Sequence, residues 1–320
     1  MIIAYGNPKV DIWEAAIDQF IIAIAIFVAI VPEGLPIILV ITLALGMRNM
    51  AKHNAIIRRM KAVETLGSTT VICSDKTGTL TKNQMTARQI STTEGTFQIT
   101  GEGFKPKGDI LFEGKPLGDD DLSKHQNNLG FRLAAACLSL CHNSQISKVD
   151  GHWEALGDPT DSACAVAGWK INGDVQKFAQ RHSRLHEFFF DTKRKRMSVL
   201  HEYEGERWVF SKGGAGGYID LVDWKVSGDE IVPIEPEDFD TAAEANRDMA
   251  GKAMRVLALC ARKLDDEEDM YDMEKIESGL IFLGLIGIMD PPRPEVKEAI
   301  EICQKAGIKV KMITGDPVSY

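Results

Sequence analysis

The sequence lacks an excess of basic residues, a dense cysteine framework, internal repeats and a long low-complexity linker. Its 46 acidic and 37 basic residues give a formal net charge of −9, which argues against nucleic-acid binding. Any phosphate ligand therefore needs a local cationic pocket, because the overall field is negative. The six cysteines are scattered along the chain, which favours a reducing, cytoplasmic setting for most of it over a disulfide-bonded scaffold.

The N-terminus also lacks a charged region followed by a small-residue cleavage site, so we expect no secretory signal peptide. What the sequence does have is length and apolar content. Its 320 residues, 44% of them hydrophobic, are enough for two domains with a buried core.

One stretch organises the rest of the chain. A β-prone run at 69–74 ends at Asp75 and then breaks into Lys76, Thr77 and Gly78. This pattern predicts a buried parallel strand that brings a carboxylate to the ligand-binding edge of an α/β sheet. The glycine and small hydroxyl residues allow backbone N–H groups to close around a phosphoryl oxygen, with Asp75 as a nucleophile or a Mg²⁺ ligand. The simpler alternative is that Asp75 only caps a turn.

Near the N-terminus, two uncharged apolar runs at 20–31 and 37–45 flank the sequence PEGLP. Joined, they form a span of the roughly 20 to 25 residues that a bilayer requires. Acidic residues precede the span and basic residues follow it, so the positive-inside rule places its C-terminal side in the cytoplasm.

The two prolines of this span predict an interruption. Pro32 cannot donate the hydrogen bond that would satisfy the carbonyl of Val28, and Pro36 likewise frees the carbonyl of Pro32. We expect the helix to open beside Glu33, where freed carbonyls and a carboxylate suit a hard cation. The alternative is a proline-kinked helix in which Glu33 is simply solvated.

Three later segments carry candidates for nucleotide binding. Residues 157–163 predict a turn and a helix start with Asp161 in the first turn. Three aromatic residues end at Phe190 and precede four cations that include Lys195, which suits adenine stacking and phosphate attraction. The plain alternative there is a hydrophobic edge followed by a solvated hairpin turn. Lys212 follows another β-prone run, from which its side chain would reach into the same cleft.

The remaining patterns are structural. Residues 127–141 predict a helix that buries Cys137 and Cys141, which is a better explanation than a zinc site because ligands are lacking. An acidic run at 265–269 predicts a solvated loop. Towards the C-terminus we expect a strand at 280–289, a stiff Asp-Pro-Pro-Arg joint, a helix from Pro294 to near Gly307 and a strand at 308–313.

Two motifs extend these predictions. Residues 75–81 read DKTGTLT, the phosphorylation motif of P-type cation-transporting ATPases, and 32–36 read PEGLP, the unwound motif of the fourth transmembrane helix in their calcium-pump-like subgroup. The chain resembles that family over nearly its whole length. The resemblance implies an α/β fold with an incomplete, haloacid-dehalogenase-like parallel-sheet phosphorylation domain. An α+β nucleotide-binding domain is inserted in it, and a proline-interrupted transmembrane helix precedes it.

The resemblance also implies a set of site residues. Asp75 would accept the γ-phosphoryl group of ATP, with Mg²⁺ held by its carboxylate and by the main-chain carbonyl of Thr77. Lys76 belongs to the same motif, and Thr314, Gly315 and Asp316 would bind ATP and the phosphoryl group. The implied ATP pocket and hinge comprise Asp161, Phe190, Lys195, Lys212, Gly213, Arg255 and Asp290. The transported cation, Ca²⁺ by this resemblance, would be held by Glu33 and the backbone carbonyls of Val28, Ala29 and Val31.

By the same resemblance, residues 1–16 are an extracytoplasmic loop or the end of a preceding helix. Residues 17–57 are the transmembrane helix and cytoplasmic stalk, 58–83 and 290–320 are two parts of the phosphorylation domain, and 84–289 are the nucleotide-binding domain. The protein is expected to be an integral membrane protein with cytoplasmic catalytic domains. Its implied partners are further transmembrane helices and an actuator domain.

The sequence departs from the family in two places. The family usually reads Lys-Gly-Ala-Pro-Glu where Lys212 is followed by Gly-Gly-Ala-Gly-Gly, a loop that is entropically expensive to order. Pro317 replaces the usual residue after Asp316 and biases that aspartate towards extended geometry. The family's Gly-Asp-Gly-x-Asn-Asp and Thr-Gly-Glu motifs have no match, so we expect this chain alone to bind nucleotide and turn over poorly.

Three alternatives stay open at this point. A soluble phosphatase of the haloacid-dehalogenase-like superfamily also uses a strand-end aspartate, but it usually has a second aspartate where this chain has Thr77. A nucleotide-binding regulatory module would bind ATP without catalysis. Within the pump family, Na⁺, K⁺ and H⁺ pumps use closely related motifs.

Overall fold

The computed structural model of the chain describes residues 12–32 and 34–314. The described residues divide into two compact units, one within 12–72 and 302–311 and the other within 73–301 and 312–314. The helices are α1 (Ile12–Ile30), α2 (Leu35–Lys52), α3 (Met60–Gly67), α4 (Asp119–Asn127), α5 (Leu129–Leu140), α6 (Pro159–Asn172), α7 (Val175–Gln180), α8 (Pro236–Gly251), α9 (Met273–Ile276) and α10 (Val296–Lys305).

The strands follow in the same chain order. They are β1 (Val71–Asp75), β2 (Thr86–Thr92), β3 (Gly95–Ile99), β4 (Ile110–Phe112), β5 (Lys115–Pro116), β6 (Gln145–Val149), β7 (His152–Leu156), β8 (Arg184–Asp191), β9 (Arg196–Tyr203), β10 (Glu206–Gly214), β11 (Val222–Ser227), β12 (Glu230–Pro233), β13 (Arg255–Lys263), β14 (Leu280–Met289) and β15 (Lys309–Ile313).

The apolar segment near the N-terminus forms α1 and α2, and by length and composition it can cross a membrane. The two predicted free carbonyls are hydrogen-bonded. The carbonyl of Val28 accepts from Val31 N at 3.2 Å, and that of Pro32 accepts from Leu35 N at 3.0 Å. The prediction that both are left free is therefore wrong, because tighter bonds between residues three apart replace those that the prolines remove. Glu33 lies outside the described residues.

β1 pairs with β15 in a two-stranded sheet. The sequence predicts a buried strand here, but Val71 and Ile72 are 45% and 38% exposed. That prediction is wrong because the described part of the chain supplies only one neighbouring strand for β1. The haloacid-dehalogenase-like sheet therefore stays a prediction.

An eleven-stranded sheet forms the body of the larger unit. Its main order is β5-β4-β3-β2-β14-β13-β10-β9-β8. In addition, β11 pairs with β14 in parallel, and β12 pairs with β11. β14 has the sequence LIFLGLIGIM and is the central strand. A continuous apolar run suits a strand whose two faces are both buried. The sequence-predicted bounds of β14 are confirmed.

Alternate side chains of β13 show that both faces of this sheet are covered. Leu259 and Ala261 pack in the core that contains α5 and α6, whereas Ala258 and Cys260 pack in a second core with Met249 of α8. This alternation follows from the two-residue period of a strand. Both faces of the sheet around β13 are therefore buried.

The helix predicted at 127–141 differs at its start. Asn128 has extended backbone angles, and its side chain accepts a hydrogen bond from Gly130 N at 2.8 Å, so it caps α5 and ends α4. Cys137 and Cys141 are buried on α5, and all six cysteines are free thiols.

Candidate functional site

Asp75 is the last residue of β1 and the start of a tight turn, Lys76–Leu80. Its Oδ1 accepts a hydrogen bond from Thr77 N at 3.3 Å, and Gly78 has a φ of +76° that only glycine adopts freely. The aspartate does cap a turn, as the simpler alternative predicts. Because the side chain is exposed, this contact leaves the carboxylate accessible to a ligand.

Two segments that are distant in sequence, 80–84 and 290–293, lie side by side just after the Asp75 turn. Asp290 joins the two segments: its Oδ2 accepts from Thr81 Oγ1 at 2.5 Å, and its Oδ1 accepts from Gln84 N at 3.1 Å. Backbone bonds from Arg293 N to the Leu80 carbonyl and from Lys82 N to the Pro291 carbonyl reinforce this contact. Asp290 thus bonds to the segment that directly follows the Asp75 turn in sequence.

A second group of predicted residues meets where α6 begins and β10 ends. Lys212 on β10 is 3% exposed, and its Nζ lies 2.8 Å from Asp161 Oδ1 in the first turn of α6. Asp161 Oδ2 also accepts from Asn143 N at 3.2 Å. The Lys212 ammonium makes no well-aligned hydrogen bond within the described residues. A buried ammonium with donors to spare can bind an anionic ligand.

The hairpin turn between β8 and β9 lies beside Lys212. The carbonyl of Lys195 in this turn accepts from Gly214 N at 3.0 Å. A Cβ on Gly213 would lie only 2.3 Å from that same carbonyl, so any side chain there would displace the turn. Phe190, close to the end of β8, is 60% exposed. The glycine after Lys212 therefore lets the Lys195 turn approach β10.

Arg255 is the first residue of β13 and reaches the same corner, because its Nη1 donates to Thr160 Oγ1 at 3.3 Å. We call the set Asp161, Phe190, Lys195, Lys212, Gly213 and Arg255 the cationic corner. Sequence reasoning grouped the four cations at 193–196 together, whereas the structure turns Arg194 and Arg196 inward onto buried Glu277. The sequence gives no indication of this role for Glu277, because no local motif includes that residue.

Neighbouring groups keep Lys212 charged. Desolvation alone would lower the pKa of its ammonium, but negative charge on Cys164 when it is ionised and on the Asp161 carboxylate outweighs it, and the pKa is raised. Burial raises the pKa of Cys164 to about 11, so this thiol is neutral at pH 7 and the carboxylate is the effective partner. Lys212 is therefore a fixed cation in this corner.

Two buried histidines predict how stability depends on pH. Burial lowers the pKa of His142 to about 3 and that of His201 to about 4. Below about pH 6.5, the usual pKa of histidine in an unfolded chain, the unfolded chain binds protons that the folded chain does not. The free energy of unfolding therefore decreases as the pH is lowered. We expect a loss of about 2 kcal/mol per histidine between pH 7 and pH 5, measured by urea unfolding in detergent.

Substitution of one buried and one exposed histidine tests this prediction. His142→Gln should lose about 2 kcal/mol less than the parent over that pH interval, whereas exposed His152→Gln should behave like the parent. An unchanged pH slope in His142→Gln would contradict the assignment.

The other predicted residues belong to the Asp75 turn or to the C-terminal end of the chain. Lys76 and Thr77 are in the Asp75 turn, and Thr314 is the last described residue. Gly315 and Asp316 lie outside the described residues. Two cavities of 320 and 160 Å³ are lined by α8 and its neighbours and by none of the cationic corner.

The sequence that carries the cationic corner matches a known domain. Residues 131–295 match the family described as "P-type ATPase, cytoplasmic domain N". The chain belongs to the P-type ATPase family, and the predicted resemblance is confirmed.

Similar proteins are also named as cation-transporting ATPases. Cation-transporting ATPase pma1 of Synechocystis is 37% identical over 306 residues, 95% of this chain and 33% of the relative. A calcium-transporting ATPase of Bacillus subtilis is 37% identical over 304 residues, 94% and 33%. The probable cation-transporting ATPase F of Mycobacterium tuberculosis is 38% identical over 305 residues, 95% and 33%. The chain thus spans about a third of the length of these relatives.

Proposed function

We propose that the chain is the central part of an ATP-driven cation pump in which Asp75 accepts the γ-phosphoryl group of ATP. The observation that carries the proposal is an exposed strand-end carboxylate within DKTGTLT in the same compact unit as the cationic corner. Acid-stable incorporation of phosphate from γ-labelled ATP tests it as a whole.

The cationic corner fits a nucleotide triphosphate. An exposed aromatic ring at Phe190 offers a stacking face for adenine. Buried Lys212 has donors to spare, and Lys195 stands on a turn held against the strand that carries Lys212. A compact ammonium is a suitable point charge for phosphate oxygens. The domain assigned to this task is 84–289.

The Asp75 turn fits Mg²⁺ as a companion of the nucleotide. Mg²⁺ prefers oxygen ligands and usually keeps several waters, with one or two carboxylates and phosphate oxygens completing its shell. The Asp75 carboxylate and the Thr77 carbonyl supply two such oxygens. Bound there, the metal would neutralise charge on the transferring phosphoryl group.

The chemistry assigned to Asp75 is an in-line displacement. A carboxylate oxygen forms a bond to the γ-phosphorus, the bond to the β–γ bridging oxygen breaks, and ADP leaves with that electron pair. Thr77 stands where related phosphatases have a second carboxylate, and a hydroxyl is a poor general base at neutral pH. The aspartyl phosphate therefore persists long enough to drive a conformational change.

The membrane segment is assigned to the transported ion. Glu33 and the carbonyls of Val28, Ala29 and Val31 are proposed as ligands within residues 17–57; the Val28 carbonyl, which also accepts from Val31 N, has a second lone pair for the ion. Relatives named calcium-transporting ATPases favour Ca²⁺. Residues 58–83 and 290–320, with Thr314, Gly315 and Asp316, would complete a haloacid-dehalogenase-like phosphorylation domain on the cytoplasmic side. Further transmembrane helices and an actuator domain would complete the pump.

Phe190→Ala should weaken ATP binding by about tenfold, because stacking of a base on an aromatic ring contributes about 1–3 kcal/mol. Binding is measured by titration calorimetry with the whole chain in detergent. The matched control is Phe189→Ala, since Phe189 is also exposed and adjacent. Equal effects of the two substitutions would remove Phe190 from the adenine site.

A further inference from the structure

Glu277 is a buried carboxylate that the phosphoryl-transfer chemistry does not use. It lies between α9 and β14, is 2% exposed, and contacts three side chains. Its Oε1 lies 2.5 Å from Arg194 Nη1 and accepts from Ser198 Oγ at 2.6 Å, and its Oε2 accepts from Arg196 Nε at 2.7 Å. A buried charge is stable only when paired and hydrogen-bonded in this way.

These contacts extend to both ends of the proposed nucleotide site. Arg194 Nη2 donates to the carbonyl of Phe189 at 2.6 Å, next to the proposed stacking ring. Ser198 Oγ lies 2.8 Å from Ser211 Oγ, within hydrogen-bond distance, and Ser211 immediately precedes Lys212. One carboxylate therefore connects the end of β8, the hairpin turn and the end of β10.

The same contacts divide the basic turn at 193–196 into two pairs. Arg194 and Arg196 point inward and are neutralised in part by Glu277. Lys193 and Lys195 have exposed side chains, and no ion pair involves them in the part of the chain that the structure describes. The inward pair fixes the turn, and the outward pair is left to attract phosphate.

We propose that Glu277 is a positioning residue for nucleotide binding: it anchors Arg194 and Arg196 so that Phe190 and Lys195 face the nucleotide together. The inference rests on the proposed ATP-binding function of the cationic corner. Glu277 itself contacts no nucleotide and acts through the two arginines.

A purely electrostatic role predicts the opposite sign. Removing the charge of Glu277 makes the turn more positive, which by itself strengthens attraction for a triphosphate. Loss of positioning weakens binding instead, because Phe190 and Lys195 no longer share one geometry. The direction of the change in ATP affinity therefore separates the two roles.

The test compares Glu277→Gln with Glu274→Gln, a control on the exposed surface of α9. The whole chain in detergent is titrated with ATP well below its unfolding temperature. We expect Glu277→Gln to weaken ATP binding about tenfold, the effect of losing one hydrogen bond between charged groups, and Glu274→Gln to leave it unchanged. Arg194→Lys keeps the charge but not the forked contacts, and should weaken binding in the same direction.

Hydrogen exchange of the apo protein is a second readout that needs no nucleotide. The amides of Lys193 and Arg194 are bonded to Asp191 Oδ1 at 2.9 Å, and that of Lys195 to the Asp191 carbonyl. Glu277→Gln should speed exchange of a peptide covering these amides about tenfold, while peptides from α6 stay unchanged.

Each outcome decides a specific point. Unchanged or tighter ATP binding in folded Glu277→Gln, or unchanged exchange of the turn, overturns the positioning role. If Glu277→Gln does not fold, unchanged binding by Arg194→Lys overturns it. If the parent chain binds no ATP, the proposed function fails, and the positioning role for nucleotide fails with it. If Glu277→Gln changes hydrogen exchange of the turn but not ATP affinity, Glu277 has only a structural role.

Discussion

Asp75→Asn will abolish acid-stable phosphate incorporation from γ-labelled ATP into the full-length protein, reducing it by more than about a thousandfold. An amide cannot supply the nucleophilic oxygen, so no acyl phosphate forms. The label on the parent protein should also be released by hydroxylamine, which cleaves acyl phosphates. Labelling is measured in the presence of Mg²⁺ and, in separate samples, Ca²⁺, Na⁺ and K⁺.

The matched control for this experiment is Asp120→Asn, which changes an exposed aspartate on α4 and should leave labelling intact. Persistent labelling in Asp75→Asn would contradict the assignment of the nucleophile. No labelling of the parent under any cation would favour a nucleotide-binding module without catalysis. Labelling that depends on Ca²⁺ alone would support a calcium pump.

Lys212→Ala should lose nucleotide binding by about a hundredfold and lower the free energy of unfolding by about 3–5 kcal/mol. Two causes act together. The corner loses its buried cation, and Asp161, whose side chain is only 16% exposed, loses its partner. Binding is measured by ATP titration and stability by urea unfolding of the whole chain in detergent.

A double variant separates the two effects of Lys212. Lys212→Met with Asp161→Leu replaces the buried pair by apolar side chains, which is often neutral for stability. We expect it to restore the free energy of unfolding without restoring ATP binding. Lys225→Ala is the control for losing an ion pair elsewhere, since Lys225 lies 2.6 Å from Asp238 at the start of α8. ATP binding that recovers in the double variant would show that Lys212 acts only through stability.

Local sequence predicted those elements whose signals are local. β14 matches its predicted bounds because a ten-residue apolar run can only be buried on both faces. α6 begins as predicted because Asp158 caps it and Pro159 occupies its first turn. The close sequence match to a known family supplied the candidate residues of the cationic corner.

The failures came from contacts that composition and local rules do not specify. The carbonyls of Val28 and Pro32 found alternative hydrogen-bond donors that a rule about prolines alone does not supply. β1 was expected to be buried because its composition suits a central strand, but burial depends on neighbours that composition does not reveal. Glu277 lies about 80 residues from the arginines it binds, so no spacing pattern could identify it.

The most direct test is to locate the phosphorylated residue chemically. After reaction of the full-length protein with Mg²⁺ and ATP, borohydride reduction converts an aspartyl phosphate to homoserine, which peptide mass spectrometry can place in the sequence. We predict homoserine at position 75 and nowhere else in residues 12–314. Phosphate carried on a different residue, or an unmodified Asp75 in protein that has incorporated label, would contradict it.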